Sequence, residues 1–447
     1  MRERTVREEK TVDMTHGKIM PQLVKFMLPV FLGLICQRVY NFADCYIVGR
    51  YLGDNALSAV SISGTAVYLL MSLMIGLTTG VSVVMSQNFG AKKMDRVKDT
   101  FVSSVYVGLG FTAISTVVGL IIVTPLLTIL QTPDAVIEEA VLYLKIVFAG
   151  SIATMLYNWI SAVLRSLGNL VVPLVFLIIS SGLNVTLDML FVAVIPLGVG
   201  GAALATVLAQ LISGIVCLFY AFRLFPFLKV RKENLGFDWA LGREILKYGI
   251  PAGAQMSIIS VSDLFLQGFV NTYGTDMVVA YGVCIKVEGL GMQWGDAIGS
   301  AVATFVGQNV GAKNFKRVKQ GFRCAFFLNL AGYLVISPII FLFSRNIMEL
   351  FTENERAIAY GIEYMHIFGP FLLGVGILIL FHNLLRSAGD ILVTILMGVS
   401  EVVTRITFSI AFSIAWGYAG LWWVSPLTWW IAAAVGAVRY ASGKWKK

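Results

Sequence analysis

Apolar residues come in long blocks along nearly the whole chain, parted by short polar stretches that contain most of its basic residues. The blocks show neither the strict alternation of a half-buried strand nor the one-sided stripe of a surface helix. They are apolar all round, and long enough to cross a hydrocarbon core of ~30 Å at 1.5 Å per residue. This pattern predicts twelve membrane-spanning helices, near 22–48, 55–85, 100–123, 136–160, 170–194 and 199–222, then 244–271, 277–306, 321–343, 358–384, 391–414 and 418–439. The expected fold is all-α and integral to a membrane.

The pattern is also written twice. Gln87-Asn88-Phe89-Gly90-Ala91-Lys92 returns 221 residues later as Gln308-Asn309-Val310-Gly311-Ala312-Lys313. At the same offset Arg96-Val97-Lys98 returns as Arg317-Val318-Lys319, and Leu164-Arg165-Ser166-Leu167-Gly168 as Leu385-Arg386-Ser387-Ala388-Gly389. Gly53 meets Gly274, and Tyr143 meets Tyr364. Six spans per repeat is an even number, so both repeats start on the same side. The expected arrangement is two six-helix lobes related by a pseudo-two-fold axis along the membrane normal, facing one another across a cavity.

Composition agrees with a bilayer as solvent. Hydrophobic residues make up 57% of the 447 and charged residues 13%, against about 25% charged in an average soluble domain. The net charge of +9 would suggest nucleic acid in a soluble protein. Here it is carried mostly by the tail residues Arg2, Arg4, Arg7 and Lys10, by the loops around Lys92–Lys98, Arg223–Arg243 and Lys313–Lys319, and by Lys444, Lys446 and Lys447. Orientation in the membrane is therefore the better reading: positive-inside logic places both termini in the cytoplasm, and no nucleic-acid partner is expected. The expected organisation is a cytoplasmic tail at 1–20, a first lobe at 21–222, a cytoplasmic linker at 223–243, a second lobe at 244–440 and a cytoplasmic tail at 441–447. Five cysteines with no metal-like spacing read as free thiols.

Ionisable and polar side chains within the apolar blocks are costly, and each needs a reason. In the first span, Gln37, Asn41 and Asp44 recur at helical spacing. In the fifth, Ser180, Asn184 and Asp188 recur every four residues, and the sixth holds Thr206. In the predicted topology Asp44, Asn184, Asp188 and Thr206 lie at a similar depth. Carboxylate, amide and hydroxyl oxygens from three helices would suit a hard cation such as Na+, or the two carboxylates could carry a proton. One repeat further on, Asp44 becomes Phe265, Asn184 becomes Arg405 and Asp188 becomes Ser409, so ion coupling is expected in the first lobe alone. The second lobe has its own polar set. Asp263 and Glu288 are the candidates for meeting a cationic substrate. Glu401 and Arg405 could pair four residues apart on one helix, within a neutralised network. Pro29 and Pro251, in equivalent spans, predict helix bends.

No nucleotide-binding GxxxxGK[ST] and no HExxH or other zinc pattern occurs, so neither a nucleotide-driven pump nor an enzyme is expected, and no metal beyond Na+. The alternatives are a flippase for a lipid-linked sugar and a passive channel. The first predicts a cavity rich in Arg and Lys. The second predicts rings of charge from repeated subunits.

The residues as a set resemble the multidrug and toxic compound extrusion (MATE) transporters of bacterial type. The resemblance rests on Pro29 with Asp44, Val48-Gly49, Gly53 and Ala56-Leu57; on the Gly307–Lys313 segment and the paired Leu-Arg-Ser-x-Gly turns; and on Asn184, Asp188 and Gly201–Thr206. It implies a cation-coupled antiporter working by rocker-switch alternating access. Asp44, Asn184, Asp188 and Thr206 would stand at the family's first-lobe cation site. Small organic compounds, mainly cationic amphiphiles, would be the substrates, with transported Na+ or H+, no cofactor, membrane lipid as surroundings and a monomer as the working unit. Members with an acidic residue early in the seventh span differ from this chain, whose acid there is the later Asp263.

Overall fold

In hydrocarbon a backbone amide has no water to bond to, so apolar runs close their hydrogen bonds within helices. The computed structural model describes residues 13–129, 132–229 and 235–446. Of the basic residues counted above, Arg2, Arg4, Arg7, Lys10 and Lys447, with Arg231 and Lys232 of the Arg223–Arg243 linker, lie outside them. The first half contains α1 (Ile19–Leu52), α2 (Asp54–Gly90), α3 (Met94–Ile129), α4 (Asp134–Ala149), α5 (Ser151–Ser166), α6 (Val171–Asp188) and α7 (Gly198–Leu224). The second contains α8 (Trp239–Asn271), α9 (Thr275–Gly311), α10 (Phe315–Leu342), α11 (Ser344–Glu349), α12 (Glu355–Ser387), α13 (Ile391–Trp416), α14 (Tyr418–Leu421) and α15 (Val424–Ser442). No strand occurs among the described residues.

Among the described residues ten helical stretches are each long and apolar enough to cross a membrane, and α4 with α5 passes the same test as a pair bent by 48°. The remaining expected span is α9. It has 37 residues, but its glycine-rich course with Lys286, Glu288 and Asp296 keeps it outside that apolar set. The fourth expected span is thus one bent pair, not a single rod. The break is at Gly150, where an added Cβ would lie 2.4 Å from a methyl of Val207: α7 presses against the chain there and leaves no room for a side chain.

The contacts divide the chain into two compact units, and the division falls inside two helices. Leu32–Gly253 forms the first unit. Met14–Phe31 joins Ala254 and the residues after it in the second. So α1 begins in the second unit and ends in the first, while α8 does the reverse. The changeovers fall within three residues of Pro29 and Pro251, which lie inside helices of unbroken assignment.

Within the first unit, α2 and the start of α8 meet backbone to backbone. A Cβ on Gly76 would lie 2.2 Å from the Gly253 nitrogen, and one on Gly80 2.3 Å from the Ile245 carbonyl oxygen. Within the second unit, Gly291, Gly295 and Gly299 of α9 make room for side chains instead: Leu372, Ile379 and Asn383 of α12 and Tyr333 of α10. A Cβ on Gly299 would meet the Asn383 amide at 2.6 Å. Small residues at four-residue spacing are packing surfaces in both cases. Tyr364 and Trp422, with ring centres 4.7 Å apart, fill the interior of the second unit. None of the five cysteines forms a disulfide. Cys217 and Cys284 are buried, whereas Cys45 is exposed.

Candidate functional site

Three helices of the first unit bring the predicted residues together. Asp44 is on α1, Asn184 and Asp188 are on α6, and Thr206 is on α7. The carboxyl groups of Asp44 and Asp188 are immediate neighbours, and the ring of Tyr143 from α4 lies beside both. Asp188 has no exposed surface, and Asn184 is 3% exposed. The amide nitrogen of Asn184 donates to the Thr206 hydroxyl at 3.2 Å, which turns the amide oxygen away from that bond.

Donors are scarce. Both carboxylate oxygens of Asp188, Oδ1 of Asp44 and Oδ1 of Asn184 are enclosed and receive no hydrogen bond from the protein. Buried acceptors are nearly always satisfied, and each one left over costs about 1–3 kcal/mol, more when charged. Four oxygens turned together with no protein donor, three of them from carboxyl groups, make a site for a cation. Among the described residues no three His, Cys, Asp or Glu side chains gather as a transition metal would require. Two carboxylates, an amide and a hydroxyl are hard oxygen donors, suited to a proton shared between carboxyls or to Na+.

The surroundings differ on the two sides of this cluster. One turn beyond Asp44 stand Ile47 and Val48, one turn beyond Asp188 stands Val192, and one turn before Thr206 stand Ala202 and Ala203. They pack with Val60, Tyr143 and Val199 into one dry cluster. On the other side lies a small cavity of about 40 Å³, lined in part by Gln37, Tyr40, Ser180, Asn184, Thr206 and Gln210. That is room for about one water molecule. The polar groups are thus closed off by hydrocarbon at one end and touch a polar cavity at the other. Asp188 is also the last residue of α6 before the chain widens into a π-helical turn at Met189–Val194. Such turns recur at functional positions, and this one is pressed by α7: a Cβ on Gly201 would lie 2.7 Å from the Phe191 carbonyl oxygen.

Asn41 does not join the site. It is exposed and is not part of the cavity lining, although Gln37 is. At 100° per residue it stands on the opposite side of the Gln37–Asp44 line from Tyr40, which lines the cavity. Sequence reasoning noticed Tyr143 only as a repeat marker, and it missed Tyr40 and Gln210. Tyr40 is four residues before Asp44 and Gln210 four after Thr206, which is the signal that could have found them. Gln210 accepts a hydrogen bond from the Thr154 hydroxyl.

The polar set of the second unit is wired differently. Arg405 pairs with Asp263 at 2.7 Å and donates to the Ser262 hydroxyl at 2.8 Å. The pairing expected between Glu401 and Arg405 is replaced by this one, because Asp263 on α8 sits closer to the guanidinium than the acid one turn back on α13. Arg405 and Glu401 are buried, whereas the side chain of Asp263 is 56% exposed. Glu288 accepts a hydrogen bond from the Tyr364 hydroxyl at 2.8 Å, and Lys286 rests over the Phe351 ring. His382 and Arg386 both contact the Gln255 side chain.

The family model MatE matches residues 29–190 and again 251–411, once in each repeat. The chain belongs to the MatE family, a family of membrane transporters. It is 32% identical over 440 residues to the probable multidrug resistance protein YpnP of Bacillus subtilis, covering 98% of both chains. It is 25% identical to the probable multidrug resistance protein NorM of Thermotoga maritima, over 96% of this chain and 94% of that one. Among solved structures, a MOP-superfamily transporter from Pyrococcus furiosus superposes with a TM-score of 0.90 at 22% identity, covering 98% of this chain and 99% of the other. At that identity the likeness is one of fold.

Proposed function

We propose that the protein is a cation-coupled multidrug efflux antiporter of the plasma membrane, with both termini in the cytoplasm. It exports organic, chiefly cationic amphiphilic compounds in exchange for protons or Na+ by rocker-switch alternating access. The relatives named as multidrug resistance proteins support the substrate class, and the basic loops support the orientation. The observation that carries the coupling is the set of unpartnered oxygens on Asp44, Asp188 and Asn184, closed by hydrocarbon on one side. A cation drives transport only if it binds the two conformations with different affinity. A carboxylate pair that no protein donor satisfies gives it that leverage, because any state that opens the pair to water weakens the cation's hold.

The test is dye uptake into inside-out vesicles containing the protein, under a proton gradient and a Na+ gradient imposed separately. The expected result is concentrative uptake under one of the gradients, which names the ion, and a fall to the passive background in Asp44→Asn. If neither gradient moves any of a panel of cationic dyes while a lipid-linked sugar is translocated, the flippase reading replaces this one.

A further inference from the structure

The duplicated loops, the strongest sequence signal of all, have no part in the cation site. Their geometry gives them another role. In the second repeat, Arg317 takes hold of the chain just ahead of α1. Its Nε donates to the Met14 carbonyl at 2.9 Å, Nη1 to the Gly17 carbonyl at 2.9 Å, and Nη2 to the His16 carbonyl and to Gln22 Oε1 at 2.8 and 2.9 Å. In the last turn of α9, just before the same junction, Gln308 accepts from the Met14 amide and Asn309 donates to the Met14 carbonyl, both at 3.0 Å. Met14, Gln308 and Asn309 have no exposed surface.

In the first repeat, Arg96 takes hold of the chain just ahead of α8. Its Nη1 meets Asp238 Oδ2 at 2.9 Å. Asp238 in turn caps α8 by accepting from the amides of Ala240 and Leu241, and the Tyr106 hydroxyl donates to the Leu235 carbonyl. Arg96 and Arg317 are one repeat apart, and so are the residues they grip, Asp238 and Gly17. Both loops end their helix with a lysine in the left-handed region, Lys92 at φ 58° and Lys313 at φ 56°, a conformation that costs a non-glycine residue roughly 1–2 kcal/mol. The strain is kept in both copies.

We infer that the two loops are reciprocal anchors: each repeat holds the starting end of the other repeat's first helix, and Arg317 is the positioning residue for the helix that carries Asp44. The anchor itself stands on the contacts above, and its consequence for transport rests on the proposed function. The start of α1 is fixed in one unit while Asp44, beyond Leu32, packs in the other. A change at the carboxylate pair can therefore act along a helix whose far end does not slip. Losing the anchor lowers turnover while leaving the substrate site intact.

The experiment compares wild type with Arg317→Ala and Arg317→Lys, reading hydrogen exchange at residues 14–25 and dye transport in proteoliposomes. In Arg317→Ala the expected result is exchange faster by about tenfold, confined to that segment, and kcat down by about tenfold with KM within about twofold of wild type. Arg317→Lys recovers part of both, because an ammonium cannot reproduce the fork. A Met14→Cys, Gln308→Cys pair joined by a short bifunctional thiol reagent retains transport, with wild type treated in parallel to account for its five native thiols. The inference is overturned if exchange in Arg317→Ala matches wild type, if its transport is unchanged, or if cross-linking the pair stops transport. In the last case the contact opens during the cycle and is a gate. If wild type transports no dye, the exchange readout still decides the anchor and the transport proposal fails separately.

Discussion

The two repeats share a fold plan and a tyrosine, and they use that tyrosine against acids in opposite states. Tyr143 stands beside Asp44 and Asp188, whose oxygens are largely without donors. Its counterpart Tyr364 donates to Glu288, in a unit where Asp263 is paired with Arg405. The duplication supplied two similar frames. One now holds carboxyl oxygens with no protein donor, and in the other a guanidinium occupies the position equivalent to Asn184. Buried charge left unpaired is a liability for folding and an opportunity for binding, and the pairing pattern alone tells which use each frame serves.

The comparison is broken most directly by removing one charge from each side. Arg405→Gln leaves Asp263, Glu288 and Glu401 with no cation among them and is expected to cost about 3 kcal/mol, read as a lower melting temperature and folded yield in detergent. The double variant Asp263→Asn, Arg405→Gln recovers much of that loss. Asp188→Asn is expected to do the reverse: gradient-driven transport falls by about a hundredfold while the melting temperature stays level or rises, because one unpaired buried charge is gone. If Asp188→Asn unfolds the protein as readily as Arg405→Gln does, the two clusters are both structural and the contrast disappears. The smallest effect belongs to Thr206→Val. It removes the acceptor that orients Asn184 and is expected to weaken ion dependence by about fivefold, near 1 kcal/mol. An unchanged ion titration would take Asn184 out of the site.

Much of this was legible because hydrocarbon permits few exceptions. Twelve apolar blocks were readable, and the structure places a helix or a bent pair on each. The break at Gly150 was not, since it sits within an apolar block and its cause is the approach of Val207 from another helix. Asp44, Asn184 and Asp188 stood out as residues that lipid does not tolerate. Tyr143 did not, because an aromatic ring is ordinary in a membrane helix. Arg405 was noticed, but its partner was misassigned: spacing along one helix cannot see an acid arriving from another. The repeat itself was plain, yet its role was hidden, since the segment that Arg317 grips carries no pattern and offers mainly backbone carbonyls.

The glycine contact between α2 and the start of α8 has a mechanical meaning. Packed helices normally mesh like gears, with side chains of one seated between those of the other, and they move past one another only in whole steps. Where Gly76 and Gly80 face Gly249 and Gly253 the meshing is one-sided: α8 offers only glycine, and the teeth that remain are Leu73 and Leu77 of α2, laid against its two glycines. The two axes therefore come closer than a two-sided mesh allows, held by dispersion and weak Cα–H contacts. Such a seat is cut for one partner, and any side chain larger than hydrogen at Gly76 or Gly80 would wedge it open.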